Sequence, residues 1–180
     1  MVVTIERPAS DECSEYYLGY VGRVPDGDVL ALLAEQIGVL DDLLRGLSGQ
    51  QAEFRFAPGE WRIREVVGHL IDAERLFAYR AFTISRDETA IMPGIDPDVY
   101  VREGNYGSYT LAELLDELIS LRRANVIAFR HLTPEASQRR GVASGSTFSV
   151  RSLVYILAGH INYHLEDLRE KYLPGLTSNE

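Results

Sequence analysis

Apolar side chains return every three to four residues through four long stretches of the chain, the period of a helix that buries one face. Leu32, Leu33, Ile37, Leu40, Leu43, Leu44 and Leu47, with Gln36 among them, draw such a stripe from about Asp28 to Leu47. Asp26 is placed to cap its start. A second stripe, Val66, His69, Leu70, Ala73, Phe77 and Arg80, runs from about Arg62 to Arg86 without a Ser, Thr, Asp or Asn just before it. The third carries Leu114, Leu115, Leu118, Leu121, Val126 and Phe129 and ends near Leu132. It opens on a capping box, in which the Thr110 side chain accepts the Glu113 amide and Glu113 reaches back. The fourth, Leu153, Ile156, Leu157, His160, Ile161, His164 and Leu168, spans about Val150 to Tyr172. Ser149 caps it, and Pro174 and Gly175 are expected to stop it.

The intervening stretches are polar or turn-rich. Residues 1–25 read as irregular, with an aromatic patch at Tyr16, Tyr17 and Tyr20 that suits a short helix across the core. Residues 87–109 make an uncommonly long connection, and such loops are often functional. Asp96, Asp98, Tyr100, Tyr106 and Tyr109 are placed there to line a pocket mouth. Residues 136–148 offer a few strand-like positions at most. Four long helices without convincing strands predict an all-α fold, a four-helix bundle with long connecting loops. The connections are too long for tight hairpins throughout, so a crossover is expected. The 180 residues, without internal repeats, read as a single domain.

Composition narrows the class. With 46% hydrophobic and 25% charged residues the chain is an ordinary globular one. No apolar run approaches the roughly 20 residues that span a bilayer, so no membrane partner is expected. The N-terminus lacks the basic and apolar regions of a signal peptide, and the single cysteine, Cys13, excludes an internal disulfide. A cytoplasmic location is the expectation. The net charge of −9 disfavours nucleic acid, which needs a stripe of Lys and Arg. Arg122 with Arg123 and Arg139 with Arg140 are only pairs.

The chemistry concentrates on histidines. His160 and His164 stand at i and i+4 inside the fourth stripe, where two imidazoles converge on one side of a helix. His69 lies on the apolar face of the second helix. Burying such rings costs free energy unless every nitrogen is satisfied. Three imidazoles meeting between helices would form a metal site with an open position, as catalytic sites have. The alternative is three core histidines. Nitrogen ligands suit zinc, nickel, iron or copper. The segment from His160 to His164 is not the metalloprotease motif, because Ile161 stands where the general-base glutamate belongs. Asp72, Glu74, Glu166 and Asp167 are near enough in sequence to orient the imidazoles. His131 falls in the last turn of the third helix, where a cation suits the helix dipole, and is left out of the site.

Two segments carry a family resemblance. Trp61 to Leu70, with Gly68 before His69, resembles the first motif of the DinB/YfiT-like metalloenzymes. Gly159 and His160 with His164 resemble the second, and the likeness runs from about Val24 to Leu173. It implies a four-helix bundle with a divalent metal, zinc or nickel ahead of iron, on His69, His160 and His164. It also implies a homodimer acting on a small-molecule substrate. Characterised relatives include enzymes that activate a low-molecular-weight thiol, as a metal-held thiolate, for transfer to an electrophile. That is the expected activity here, with a low-molecular-weight thiol as second cofactor. A metal-dependent hydrolase, or a non-catalytic metal- or ligand-binding stress-response protein, is the alternative. Two positions depart from the family pattern. Arg62 replaces a capping serine, and Ile161 replaces a frequent glutamate.

Overall fold

The computed structural model describes residues 4–86, 89 and 91–177. The N-terminal segment forms a short helix, α1 (Glu15–Val21). α2 is Val29–Leu44, and its cap is Asp28 rather than Asp26. The Asp28 carboxylate accepts the amides of Leu30 and Ala31 at 2.9 and 3.4 Å. Gly27, at φ 138°, turns the chain just before it. Asp26 instead pairs with Arg7 at 3.3 Å.

A single turn, α3 (Gly49–Ala52), precedes α4 (Ile63–Ile84). Arg62 occupies the cap position of α4, and its side chain has no oxygen to offer. Glu65 compensates by accepting the Arg62 amide at 2.7 Å, one half of a capping box.

The long connection is more structured than expected. It contains β1 (Ile91–Met92), α5 (Pro97–Glu103) and a 3₁₀ turn at Tyr106–Ser108. Asp96 caps α5 by accepting the Asp98 and Val99 amides. α6 (Leu111–Arg130) begins on the Thr110–Glu113 capping box. After α7 (Pro134–Gln138) the polar stretch folds into a hairpin of β2 (Arg140–Ala143) and β3 (Ser146–Ser149). Ser144 and Gly145 both have positive φ, 52° and 73°, the backbone of a type I′ turn. β1 pairs parallel to β2, and β3 pairs antiparallel to it on the other side. The hairpin falls where a few strand-like positions were expected, β1 was not foreseen, and the fold is mainly helical.

α8 (Val150–Asp167) continues through a π-helical turn, Leu168–Tyr172, into α9 (Leu173–Thr177). Pro174 therefore does not stop the helix. The π-helical turn just before it widens the winding, and the helix carries on past the proline.

α2 and α4 each pack on both α6 and α8, so the two sequential pairs sit on the diagonals of the bundle. The apolar interior has two parts. One gathers Leu30 and Leu33 of α2, Phe77 and Ala81 of α4, Val126 and Phe129 of α6, and Leu153 and Leu157 of α8. The other gathers Leu40 and Leu44, Val66 and Leu70, Leu114 and Leu118, and Ile161 and Leu165. The starts of α4 and α6 thus share one end of the bundle, and these neighbours run parallel. The chain between them must travel the length of a 20-residue helix, about 30 Å. That is the crossover, and it accounts for the long connection.

Between the two apolar parts lies a buried polar layer with a member on each of the four long helices. Arg122 of α6 pairs with Glu74 of α4 through Nη2 to Oε2 at 2.7 Å, the side chains 0% and 1% exposed. Asn125 donates to Glu74 Oε1 at 2.7 Å. Arg122 Nη1 donates to Gln36 Oε1 of α2 at 3.1 Å. Gln36 Nε2 in turn donates to the Ala158 carbonyl and Asn162 Oδ1 of α8, both at 2.7 Å. Among the described residues no helix is long and apolar enough to cross a membrane.

Candidate metal centre

α4 and α8 run antiparallel in contact, which brings His69 opposite His160 and His164. The glycine before each motif makes room for a covering element. A Cβ on Gly68 would stand 2.4 Å from the Tyr106 ring. A Cβ on Gly159 would stand 1.9 Å from the Tyr20 carbonyl oxygen. Side chains at either place would push the 3₁₀ turn or α1 off the site.

The three imidazoles converge through one nitrogen each. His160 Nε2 is 3.1 Å from His69 Nε2 and 3.2 Å from His164 Nε2. All three ligand atoms lie within 4.8 Å of one another. Two nitrogens on a tetrahedral zinc, at Zn–N bonds of 2.0–2.1 Å, stand about 3.3 Å apart. The donor set therefore fits a divalent ion in both spacing and chemistry. His160 and His164 are 6% and 7% exposed, and His69 is half-buried.

Burial holds all three rings neutral. It lowers the His160 pKa well below the usual value, reinforced by the repulsion a charge there would meet from Arg122 and from any charge on His164 or His69. It brings His164 to about 3, with His69 adding to the effect. His69 falls to about 4 by burial, against the opposing pull of Asp98. Neutral imidazoles are the form that ligates a metal.

The site opens into a cavity of about 280 Å³. Aromatic rings form much of its wall: Trp61 is 4.6 Å from the His69 ring, Tyr20 is 5.2 Å from His160 and Tyr163 is 5.0 Å from His164, centre to centre. Asp72, Phe77, Arg80, Tyr100 and Ser144 also line it.

The carboxylates expected to orient the imidazoles make their bonds elsewhere. Glu74 belongs to the polar layer, Glu166 pairs with Arg23, and Asp167 meets Lys171 at 2.8 Å. Asp72 accepts the Tyr106 hydroxyl. Of the tyrosines placed at a pocket mouth, Tyr100 lines the cavity, while Tyr106 is buried against Gly68. Asp98 lines a neighbouring cavity beside His164. His131 is the exposed C-cap residue of α6 and lines a different cavity from the three histidines. Sequence reading missed Tyr163 and Ser144. Tyr163 had a signal, since it sits between the two histidines of one motif. Ser144 had none, because the crossover alone brings the hairpin to α4.

Residues 32–168 match the DinB superfamily. The fold matches YfiT from Bacillus subtilis, described as “a probable metal-dependent hydrolase with an unusual four-helix bundle topology”. The TM-score is 0.72 at 17% identity, over 82% of this chain and 87% of that one. No curated protein matches the sequence.

Proposed function

This chain belongs to the DinB superfamily, and from that premise we propose that it is a metal-dependent enzyme that activates a nucleophile toward a small electrophilic substrate. His69, His160 and His164 hold the divalent ion, zinc or nickel ahead of iron. The observation that carries the reading is the convergence of their three Nε2 atoms beside a cavity of small-molecule size. Three protein ligands leave a position open for the reacting group.

A divalent ion there supplies Lewis acidity, lowering the pKa of a bound water toward neutrality or holding a thiol as thiolate. The chain's own residues set the rest. Trp61, Tyr20 and Phe77 wall the cavity with apolar surface and limit its water. Asp72 lies one turn along α4 from His69 on the same wall, and burial raises its carboxyl pKa against the lowering hydrogen bond from Tyr106. So placed, it accepts the proton that an attacking water loses. This favours hydrolysis as the first reading, in keeping with the description of YfiT. Thiol transfer is the second reading. The same all-imidazole donor set adds no negative charge to the site, so it would take an anionic thiolate as readily as a hydroxide.

Elemental mass spectrometry on untagged protein purified without chelator tests the site. The expected result is about one divalent ion per chain, lost in His160→Ala while far-ultraviolet dichroism stays helical. Absence of metal, with none taken up on addition, overturns the proposal. Turnover of an ester panel without thiol, retained metal and lost turnover in Asp72→Asn support hydrolysis. Product formed only when thiol and electrophile are both supplied supports transfer.

A further inference from the structure

α4 presents more than His69 to the cavity. A helix turns 100° per residue, so residues eleven apart return to almost the same face. His69, Ala73, Leu76, Phe77 and Arg80 accordingly form one lining stripe. Arg80 closes the far end of it from the histidines. Phe77 stands between, its ring 6.3 Å from the His160 ring and 5.7 Å from the Arg80 guanidinium carbon.

Arg80 is 1% exposed, yet it has no acidic partner among the described residues. Its Nη2 donates to the Pro93 carbonyl at 3.1 Å and to Ser144 Oγ at 2.8 Å. Its Nε and Nη1 are buried without a hydrogen-bond partner. The Tyr17 hydroxyl comes within hydrogen-bonding reach of the guanidinium and partly offsets the burial that lowers the Arg80 pKa, but it is a neutral group whose own ionisation burial opposes. The Phe77 and Phe148 rings flank the charge. A buried cation is costly unless it is paired. Here a guanidinium with no carboxylate partner among the described residues stands in the wall of a cavity.

The geometry points to an anion subsite: Arg80 receives the carboxylate of a small, ring-sized substrate whose other end is presented to the histidines. The inference rests on the metal-dependent reading of the site and gives its substrate a class. The cavity, about 280 Å³, is just below the roughly 300–1,000 Å³ range of ligand pockets, which limits the apolar body to about one ring. Aromatic side chains line the path between the two ends. Asp72, the acidic group of this cavity, is two turns of α4 away from Arg80 and close to His69. Asp72 offsets part of the pull that a divalent ion on the histidines would exert on an anion, while Arg80 anchors the carboxylate at the other end, which sets the orientation of the bound molecule. A guanidinium suits this task, since its hydrogen bonds to carboxylate are charge-assisted and directional.

Benzoate and its neutral isostere benzamide are the probes, titrated by calorimetry into the metal-loaded full chain, with metal content measured on each sample. Wild-type protein is expected to bind benzoate at least about tenfold more tightly than benzamide. Arg80→Gln should remove that preference and leave both the metal content and the benzamide affinity unchanged. Arg80→Lys should keep part of the preference. Equal affinities for the two probes in wild-type protein, or no saturable benzoate binding, overturn the inference. Benzoate binding that persists in Arg80→Gln and disappears with the metal also overturns it, since the carboxylate then sits on the ion. If Arg80→Gln fails to fold, the wild-type ratio and Arg80→Lys decide. A preference that depends on Arg80 in protein without metal keeps the subsite and rejects the metal reading.

Discussion

Gly159 lies directly beneath the backbone carbonyl of Tyr20, so close that a Cβ would meet the oxygen at 1.9 Å. The contact joins α1 to the helix that carries His160 and His164. Tyr20 is thereby set edge-on to His160, their ring centres 5.2 Å apart. Backbone cannot yield as a long side chain can, so the position admits only hydrogen.

Gly159→Ala should therefore displace α1 rather than unfold the bundle. The methyl group drives the 15–21 segment outward and opens the cavity wall formed by Tyr16, Tyr17 and Tyr20. We expect a stability loss of about 1–3 kcal/mol, the usual range for overpacking. Amide hydrogen exchange should rise in α1 and stay low in α4 and α6. Unchanged protection in α1 would contradict this account of the glycine.

The buried polar layer gives a second prediction. Glu74 and Arg122 neutralise each other away from water, so the pair is worth little net stability but is costly to break. Glu74→Gln leaves the guanidinium unpaired and should cost about 3–5 kcal/mol by denaturant unfolding. Replacing both at once, Glu74→Leu with Arg122→Met, should recover most of that loss. A single variant within about 1 kcal/mol of wild type would show that water or a neighbour takes over the charge.

Much of this site was legible in the sequence, because helical periodicity depends on local spacing alone. It placed His69 and Arg80 on one face of the second helix and His160 and His164 on one face of the fourth, and the structure brings the three histidines together. What escaped was tertiary. The parallel pairing of α4 and α6 explains the long connection, yet nothing within residues 87–109 states it. Asp26 and Asp28 are equally good caps by type, and the positive φ of Gly27 decides between them. The 140–149 hairpin is poor in β-branched residues and is held by its Ser144–Gly145 turn and by β1. Asp72 and Glu74 looked alike as acids near a histidine. Two positions along a helix turn them to different faces, one to the cavity and one to the bundle interior.

Acid should loosen the N-terminal cover before the bundle itself. Glu12 is 2% exposed and accepts Arg151 Nε at 2.7 Å and the Ala9 amide at 3.0 Å. Its carbonyl also accepts the Ser149 amide at 2.9 Å, so it fastens the segment before α1 to the start of α8. Burial alone would raise the carboxyl pKa. The hydrogen bonds from Arg151, Ser149 and Ala9, with the Arg151 charge, outweigh it and hold the group at about 2, against an ordinary 4.5. A depressed carboxyl stabilises the fold above its unfolded pKa and gives that up as the pH falls through its folded one. The contribution is thus full above about pH 5, shrinks below it and is gone near pH 2. With solvent screening allowed for, it is on the order of 2 kcal/mol. Glu12→Gln should lower the melting temperature at pH 7, and the gap to wild type should close as both are titrated toward pH 2–3. A gap that stays constant from pH 7 to pH 3 would mean that the hydrogen-bond geometry, which glutamine retains in part, and not the charge of Glu12, fastens this segment.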